Sequence, residues 1–389
     1  MMKKYKLSDL FDLQMGKTPA RNNSEYWKNG TNPWISIADM TSNGKYITTT
    51  NECITERAVF ETGIKPIFPG TVIMSFKLSV GKVARTTVKS YSNEAIMAFE
   101  IKDTEPSQYM IDNEYAYYLL SSLNFENIGN KAVMGKTLNK AILENTEVYI
   151  HRWNVQRKII SELDKATELI ELRKQQLSKL DELVKARFIE IFGDPVGNTN
   201  KLPLKPLNDV CLKITDGTHD TPQRFDCGYL LITGKNIRSA GIIFDEVEYV
   251  SAEDHKIIYD RCNPEYGDVL YTNIGVNYGI ACYNSLDYEF SMKNVALLKP
   301  KKDILNGYYL WECLNIMRNY ILSMNQVGGA QTFMGLATIK KIAIPLPSIG
   351  QQNAFATFVE QTNKSKFEIQ KSLEKLETLK KALMQKYFG

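Results

Sequence analysis

The sequence is poor in the residues that hold small secreted or metal-bound folds together. It has six cysteines and three histidines in 389 residues, and no two cysteines form a Cys-x-x-Cys pair. This pattern argues against a structural zinc site and a disulfide framework, and it favours a reducing compartment. Long apolar runs are also missing, so we predict no membrane span. No apolar segment follows the basic N-terminus, which argues against a signal peptide, and we expect a cytoplasmic protein.

A large excess of charge of one sign is missing as well. The chain has 48 Lys+Arg against 44 Asp+Glu, a net charge of +4, with 24% charged and 43% hydrophobic residues. These values are typical of a folded globular protein and exclude a disordered or strongly acidic chain. A net charge this small does not by itself predict a nucleic-acid partner. At roughly 150 residues per domain, the length predicts two or three domains.

The sequence contains an internal repeat that is present in two copies. Residues 186–193 resemble residues 382–389 at an offset of 196. Further matches occur at this or a slightly drifting offset: Leu177 with Leu373, Leu180 with Leu376, Gln156 with Gln352, 69–75 with 266–272, and 117–119 with 308–310. A repeat of this size predicts tandem duplication of a domain-sized unit rather than a solenoid, whose period is roughly 20–50 residues.

The first part of each copy is rich in short β-type runs separated by Gly, Pro and Asn. The runs are 34–37, 71–74 and 95–99 in the first copy, and 229–233, 268–271 and 295–298 in the second. Such runs predict strands with turn-rich connections, together with a few short helices such as 113–123.

The last part of each copy has apolar residues on alternating three- and four-residue steps, which is a heptad seam. The seam residues are Leu163, Ile170, Leu177, Leu180 and Val184, then Ile369, Leu373, Leu376 and Leu383. Neither 154–192 nor 351–388 contains Pro or Gly, so we predict two helices of about 40 residues, each ~60 Å long. A seam this narrow needs a partner helix. The second helix can return along the first, which predicts an antiparallel coiled coil; alternatively, each seam packs on its own globular part.

The predicted fold class is α+β, with two tandem-duplicated mixed α/β domains separated by two long helices. The predicted boundaries are residues 1–152 for the first globular domain, 153–195 for the first helix, 196–347 for the second domain and 348–389 for the second helix.

Segments that invite a catalytic interpretation lack the necessary residues. Residues 263–266 resemble the Asn/Asp-Pro-Pro-Tyr signature of amino-methyltransferases, but the third residue is Glu and no glycine-rich cofactor loop precedes them. Residues 129–137 resemble a phosphate-binding loop with one residue too many before the Gly-Lys pair. The histidines do not pair with Cys or carboxylates at ligand spacing, and His255 is predicted on a solvated helix face. We therefore predict no catalytic residue, no metal site and no bound cofactor.

Lysines gather in stretches that lack acidic residues. These stretches are 62–93, 127–143 and 313–359, and they overlap glycine-rich loops. Lysines can neutralise phosphates, while Asn, Gln and Arg can contact base edges. An ordinary solvated lysine face is the alternative, but the recurrence in both copies favours DNA.

The whole chain resembles the specificity subunits of type I restriction–modification systems. The resemblance is carried by residues 214–222 (Ile-Thr-Asp-Gly-Thr-His-Asp-Thr-Pro), by 328–332 (Gly-Gly-Ala-Gln-Thr), and by 344–347 (Ile-Pro-Leu-Pro) followed by Gln351 and Gln352. The helix ends at 192–195 and 388–389 are also typical. The order of target-recognition domain, spacer helix, target-recognition domain and spacer helix covers the full length.

The resemblance implies a non-catalytic, sequence-specific DNA-binding subunit. Each target-recognition domain would read one half of a bipartite sequence in double-stranded DNA. The coiled coil would set the gap and dock two modification subunits, which carry S-adenosylmethionine and methylate adenine, and a separate restriction/translocase subunit would cut DNA. No membrane partner is expected. The alternative is a coiled-coil scaffold whose globular domains bind proteins and read no DNA.

The first copy departs from the family pattern. It has Tyr149-Ile150-His151 where the second has Pro345-Leu346-Pro347, and residues 15–19 replace the Asp-Gly-Thr-His form. Different half-sites are therefore expected. The candidate DNA contacts are Lys17, Thr18, Lys77, Lys82, Lys136, Thr137, Thr218, His219, Lys235, Asn236, Asn273, Asn277 and Gln331.

Overall fold

A computed structural model describes residues 2–77, 79–102, 109–125, 138–275, 277–324 and 333–389. The chain divides into two compact units. Unit 1 comprises Met1–Leu172 and Leu373–Gly389, and unit 2 comprises Arg173–Ser372. Each unit therefore combines one globular part with half of each of two long helices.

Unit 1 is a mixed α/β fold. Its strands are β1 (Lys3–Lys6), β2 (Phe11–Met15), β3 (Asn32–Ile35), β4 (Tyr46–Ile47), β5 (Glu52–Ile54), β6 (Val72–Ser75), β7 (Val83–Thr86), β8 (Tyr91–Ser92), β9 (Ile96–Ile101) and β10 (Glu147–Ile150). Its helices are α1 (Leu7–Leu10), α2 (Ile37–Asn43), α3 (Glu56–Thr62), α4 (Asn113–Ser121), α5 (Lys140–Asn145) and the start of α6 (Trp153–Phe192).

Unit 2 repeats this plan. Its strands are β11 (Leu204–Pro206), β12 (Cys211–Asp216), β13 (Tyr229–Thr233), β14 (Ile237–Arg238), β15 (Gly241–Ile242), β16 (Glu248–Val250), β17 (Val269–Tyr271), β18 (Ala281–Tyr283), β19 (Ser291–Lys293), β20 (Ala296–Pro300) and β21 (Ala343–Pro345). Its helices are α7 (Leu207–Val210), α8 (Ala252–Cys262), α9 (Gly307–Ile316), α10 (Arg318–Met324), α11 (Leu336–Ile339) and the start of α12 (Ile349–Phe388).

The sheets show the duplication directly. In unit 1 one sheet has the order β2-β9-β6-β7-β4 and another has β5-β3-β8, while β1 pairs with β10. In unit 2 the corresponding orders are β12-β20-β17-β18 and β16-β13-β19, while β11 pairs with β21. The pairings match in direction as well, because β3 with β8 and β13 with β19 are parallel while β3 with β5 and β13 with β16 are antiparallel. The predicted internal repeat is confirmed.

Helices α6 and α12 each contain 40 residues and contribute to both units. In unit 1 the buried Leu163 of α6 shares a core with Leu383 of α12. In unit 2 Val184 of α6 shares a core with Val359 of α12. The first half of α6 thus packs with the second half of α12, and the reverse holds in unit 2, so the predicted antiparallel pairing is confirmed.

The long helices also pack on the globular parts. The C-terminal end of α6 places Phe188 in the core of unit 2, stacked on Tyr309 with ring centroids 5.3 Å apart. The C-terminal end of α12 places Phe388 against Tyr115 in unit 1, with centroids 5.3 Å apart. Each helix therefore ends in the globular part of the opposite sequence copy, which explains the aromatic repeat at the two helix ends. The alternative to the coiled coil, in which each seam packs on its own globular part, describes only part of the packing.

Polar side chains also make contacts between the two long helices. Lys366 of α12 forms an ion pair with Asp181 of α6 within unit 2. Tyr387 of α12 donates its hydroxyl proton to Glu162 of α6 at 2.6 Å within unit 1. These contacts allow a polar side chain at the helix interface without leaving its charge or hydroxyl unpaired.

Two sequence-based predictions need correction. The run 34–37 was expected to be a strand, but β3 ends at Ile35 because Ser36 caps α2 and forms a capping box with Asp39. The match of 117–119 with 308–310 is also shifted. Asp112 caps α4 and Asn306 caps α9, so Tyr115 rather than Tyr118 is equivalent to Tyr309. The Tyr-Tyr-Leu string of 117–119 recurs at 308–310 by chance and does not mark equivalent positions.

Candidate nucleic-acid interface

Both units carry a loop that begins at a glycine, where the chain crosses close over a neighbouring strand. In unit 1 the Gly16 loop (residues 16–21) follows β2, and in unit 2 the Gly217 loop (residues 217–224) follows β12. A Cβ at Gly16 would lie 2.2 Å from the oxygen of Asn93, and one at Gly217 would lie 2.1 Å from the oxygen of Met292. Both crossings therefore require a residue without a side chain.

The residues after the two glycines occupy equivalent positions. The amide of Lys17 donates to Ser92 at 2.8 Å, and the amide of Thr218 donates to Met292 at 2.9 Å. Lys17 thus corresponds to Thr218, and Thr18 corresponds to His219. The same backbone presents different side chains in the two units.

His219 is held by groups on both sides of its ring. Nε2 lies 2.7 Å from a carboxylate oxygen of Asp216, and Nδ1 lies 3.0 Å from the side-chain oxygen of Asn294. Because a carboxylate only accepts, Nε2 carries a proton. Asp216 also accepts from Arg261 at 2.6 Å. The His219 side chain remains 51% exposed, so a fixed imidazole faces solvent beside the Gly217 loop.

Thr18 makes the corresponding contact in unit 1, where its hydroxyl donates to the carboxylate of Glu94. This hydrogen bond lowers the pKa of Glu94 below its ordinary value, and the nearby charges of Lys77 and Arg21 act in the same direction. Lys17 is exposed and its ammonium donates to the carbonyl of Thr62 at 2.5 Å. Lysine, arginine and threonine side chains are thus gathered at the Gly16 loop.

An open cleft of about 460 Å³ lies beside the Gly217 loop within unit 2. Basic side chains on its lining come from Arg224, Lys235 and Lys293, opposed by Glu248. Asn294, which contacts His219, is also part of the lining. The structure therefore brings His219 and Lys235, predicted from the sequence, to one surface.

The hairpins that follow β6 and β17 are built alike. The Ser75 hydroxyl donates to the Ser79 carbonyl at 2.6 Å and accepts the Lys82 amide at 3.0 Å. Thr272 plays the same part in unit 2, where its hydroxyl accepts the amide of Ile280 at 2.9 Å. The unit 1 hairpin carries the predicted contacts Lys77 and Lys82. Lys77 is half-buried with its ammonium 5.5 Å from the Phe76 ring centroid, and Lys82 donates to Thr41.

The predicted asparagines hold loops rather than face solvent. Asn236 is buried, and its side chain bonds both to the Thr233 amide at 3.0 Å and to the Ile243 carbonyl at 3.2 Å. Asn273 is buried and donates to Met334 at 3.3 Å. Asn277 lines the cleft, but its amide nitrogen donates to Gly234 at 2.8 Å. Thr218 is also buried, at 8% exposure.

Three predicted contacts, Lys136, Thr137 and Gln331, lie outside the described residues.

The predicted seam residues of the two long helices are mostly buried or partly buried. Leu163, Ile170, Val184 and Leu373 are buried, and Leu177, Leu180, Ile369, Leu376 and Leu383 are intermediate in exposure.

The predicted location of His255 is wrong. The ring is 4% exposed and stacks on Tyr229, with centroids 3.8 Å apart and planes inclined by 6°. Its Nδ1 lies 3.0 Å from the hydroxyl of Ser291. The charged residues next to His255 suggest a solvent-exposed helix face. Only one side of α8 is exposed to solvent, however, and it carries Lys256, whose side chain is 76% exposed.

Sequence reasoning missed the arginines of the two glycine loops. Arg21 pairs with Glu52 in unit 1, and Arg224 pairs with Glu248 in unit 2. Neither arginine lies in an acid-free stretch, so the charge pattern gave no signal. Only strand pairing brings the carboxylates to the loops.

Other features of the described residues are simpler. The six cysteines are free thiols. Across the described ranges, no group of His, Cys, Asp or Glu is arranged to hold a metal ion. Among the helices of those same ranges, none has the length and apolar character that crossing a bilayer requires.

The duplicated architecture agrees with comparisons to known proteins. The family described as "Type I restriction modification DNA specificity domain" matches residues 1–182 and 235–381. The chain belongs to this family. The predicted resemblance is therefore confirmed at the level of the family.

Individual relatives cover most or part of the chain. The chain is 24% identical over 416 aligned positions to the type I restriction enzyme MjaIX specificity subunit of Methanocaldococcus jannaschii, spanning 98% of this chain and 91% of the relative. It is 27% identical to the EcoprrI specificity subunit of Escherichia coli over 117 positions, which cover 30% of this chain and 28% of the relative.

Solved structures share the fold. The S subunit of the type I restriction–modification system from M. genitalium aligns with a TM-score of 0.57 at 15% identity, covering 100% of this chain and 96% of that one. A chain solved in work on complex assembly and conformational transition of the type I R-M system aligns with a TM-score of 0.57 at 17% identity, covering 99% and 97%. Both likenesses concern the fold alone.

Proposed function

We propose that this chain is the DNA-reading specificity subunit of a type I restriction–modification complex, with each unit reading one half of a bipartite target. The repeated glycine loop carries this proposal. Equivalent backbone positions present Lys17 and Thr18 in unit 1 but Thr218 and His219 in unit 2. Equivalent backbone positions with different side chains suit a target whose halves differ in sequence, since side chains on a common frame determine base readout.

The basic surface supports a duplex partner. Arg224, Lys235 and Lys293 line the cleft in unit 2, and Lys17 and Lys77 lie near the Gly16 loop in unit 1. Cations at such positions neutralise phosphates and orient the protein on the duplex, while polar groups beside them contact base edges. We therefore assign positioning on the duplex to the lysines and base readout to the polar groups beside them.

The paired helices are proposed to set the gap between half-sites and to dock two modification subunits. Exposed leucines on α6 support a protein partner, because Leu169, Leu172 and Leu183 are 44%, 47% and 48% exposed. The modification subunits would hold S-adenosylmethionine and methylate adenine, and a restriction/translocase subunit would cleave. The chain itself would act as the non-catalytic component, in the cytoplasm. The M. jannaschii relative is named a specificity subunit, which agrees with this role.

Binding measured against salt tests the proposal. The chain assembled with its modification subunits should bind duplex DNA with an affinity that falls linearly in log K against log salt, because phosphate contacts release counterions. Adenine-methylation maps of cells with and without the gene should differ by one bipartite motif. A complex that binds no DNA at low salt and leaves the methylation map unchanged would instead support the protein-binding scaffold.

A further inference from the structure

The two glycine loops each deliver one arginine to one glutamate. In unit 1 the Arg21 nitrogens Nη1 and Nη2 donate to the two carboxylate oxygens of Glu52 at 2.5 and 3.0 Å. In unit 2 the Nε of Arg224 donates to Glu248 at 2.9 Å. Arginine paired with a carboxylate in both copies is a repeated structural feature of the molecule.

The glutamates occupy equivalent positions in the duplicated sheets. Glu52 is the first residue of β5 and lies opposite Trp34 of β3. Glu248 is the first residue of β16 and lies opposite Leu231 of β13. Both strands are antiparallel neighbours of the central strand of the sheet. The shared register shows that the pairing belongs to the repeated fold and is independent of local sequence.

Additional contacts fix the plane of each guanidinium group. The Arg21 guanidinium carbon lies 3.9 Å from the ring centroid of Trp27 and 4.7 Å from that of Trp34. Arg224 instead donates from Nη1 to the Pro222 carbonyl at 2.9 Å. A guanidinium held by a carboxylate and an aromatic face loses less freedom when it binds a ligand.

Each arginine keeps donors that the fold does not use. Among the described residues, the Nε of Arg21 and the Nη2 of Arg224 have no acceptor, and the side chains are 50% and 28% exposed. Each Nη carries two N–H groups, so an Nη that already donates once can still donate to a second acceptor. Arg21 belongs to the Gly16 loop together with Thr18, and its guanidinium lies over Trp34, whose ring nitrogen donates to the carbonyl of Lys17 at 3.2 Å. Arg224 lines the cleft with Lys235 and Lys293. The free donors are therefore located at the surfaces proposed to face DNA.

We infer that Arg21 and Arg224 are specificity-determining residues, one for each half-site, that donate to the O6 and N7 acceptors of a guanine in the major groove. Glu52 and Glu248 are positioning residues that orient the guanidinium groups. Guanine fits this donor set because its major-groove edge presents two acceptors side by side. The inference rests on the proposed function and adds the base type and the residues that recognise it.

Substitution in the assembled complex tests the inference. Arg21→Ala should relax one base-pair position in one half-site, and Arg224→Ala should relax one position in the other half-site. For each variant, binding to the cognate duplex should fall roughly 10- to 100-fold, while binding to a duplex changed at that position should not fall further. Binding to single-substituted duplexes and methylation mapping would provide these values.

Lysine variants separate readout from charge and folding. Arg21→Lys and Arg224→Lys keep the positive charge but cannot form the planar bidentate contact, so they should lose discrimination at the same position and retain affinity for unrelated DNA. Glu52→Gln and Glu248→Gln should weaken discrimination partially. As matched controls, Arg57→Ala, which removes an ion-paired arginine from α3, and Lys256→Ala, from α8, should leave every position unchanged.

The outcomes distinguish this inference from the proposed function. A native complex without sequence preference would overturn the proposed function and this inference together. A native complex that discriminates normally, with arginine variants that lose affinity equally for all duplexes or not at all, would overturn only the inference. Lysine variants that keep full discrimination would likewise overturn only the inference.

Discussion

Gln156 and Gln352 make the same hydrogen bonds at the beginning of α6 and α12. Each side chain is 0% exposed, its oxygen accepts one backbone amide and its nitrogen donates to two backbone carbonyls. The partners are Asp112 N (3.1 Å), Met110 O (2.8 Å) and His151 O (2.8 Å) for Gln156, and Asn306 N (2.8 Å), Ile304 O (3.0 Å) and Pro347 O (2.9 Å) for Gln352. In each unit one glutamine side chain thus joins a long helix to the capping residue of α4 or α9 and to the segment just before the long helix.

Loss of this amide should destabilise unit 2. Gln352→Ala leaves one amide and two carbonyls of the backbone without their buried partner, and we expect the free energy of unfolding to fall by about 2–4 kcal/mol. Urea unfolding would measure the change. Gln361→Ala, at an exposed position of the same helix, should change stability by less than about 0.5 kcal/mol. Equal effects of the two variants would contradict a joining role for Gln352.

Gly217 should not tolerate a side chain. Its Cβ would lie 2.1 Å from a backbone oxygen of Met292, so Gly217→Ala must displace the loop or β19, at a cost of about 1–3 kcal/mol. The displaced loop would also move His219 and Arg224, and sequence discrimination should weaken. Gly350→Ala is the control, because nothing lies within 4 Å of its Cβ and alanine favours a helix by up to about 1 kcal/mol. Thermal unfolding of both variants would test this; an unaltered melting temperature for Gly217→Ala would contradict it.

Glu312 should make unit 2 less stable as the pH rises. Burial raises the pKa of this carboxyl from 4.5 to about 7, with Lys185 and Lys366 favouring and Asp181 opposing ionisation. Between these two values the folded chain keeps a proton that the unfolded chain has released. The contribution of Glu312 to the free energy of unfolding therefore falls by roughly 3 kcal/mol as the pH rises from about 4.5 to 7, and it is constant above that range.

Replacing Glu312 by glutamine should remove this pH dependence. We expect Glu312→Gln to gain stability relative to the native chain between pH 5 and pH 8, because the neutral amide is not ionised. Urea unfolding at both values would show the gain. Glu377→Gln changes an exposed site on α12. Its free energy of unfolding should vary with pH in the same way as that of the native chain over this range. A stability difference between Glu312→Gln and the native chain that is the same at both pH values would contradict the assignment.

Local sequence signals predicted much of the fold. The run 229–233 coincides with β13, and the two long helices follow from heptads without Pro or Gly. Their antiparallel pairing followed from the chain order. The end of β3 was missed because the capping box of Ser36 with Asp39 outweighs the β propensity of the isoleucines on either side.

The candidate site was predicted less well, because residue type does not specify burial. Asn236 and Asn273 have side chains suited to reading bases, but strand pairing buries both. The charge pattern did not identify Arg21 or Arg224, whose carboxylate partners are 31 and 24 residues away and approach only through the sheet. Contacts at such separations depend on the tertiary fold, which local patterns do not contain.

Lengthening both long helices should lengthen the gap between the half-sites. Three heptads inserted at Gln175 in α6 and three at Lys371 in α12 keep the seam in register and leave the globular parts unchanged. These 21 residues add about 32 Å to each helix at 1.5 Å per residue. That length is about one turn of duplex, roughly nine or ten base pairs, so both units would again meet the same face of DNA.

We therefore expect the methylated motif to keep both half-sites and to gain nine or ten base pairs between them. One heptad in each helix adds only about 10 Å, or three base-pair steps, and presents the second half-site on a rotated face, so methylation should weaken sharply. Inserting three heptads into α6 alone breaks the pairing and should destabilise the chain. A motif whose gap stays unchanged in the doubly lengthened protein would show that the helices do not measure the distance between half-sites.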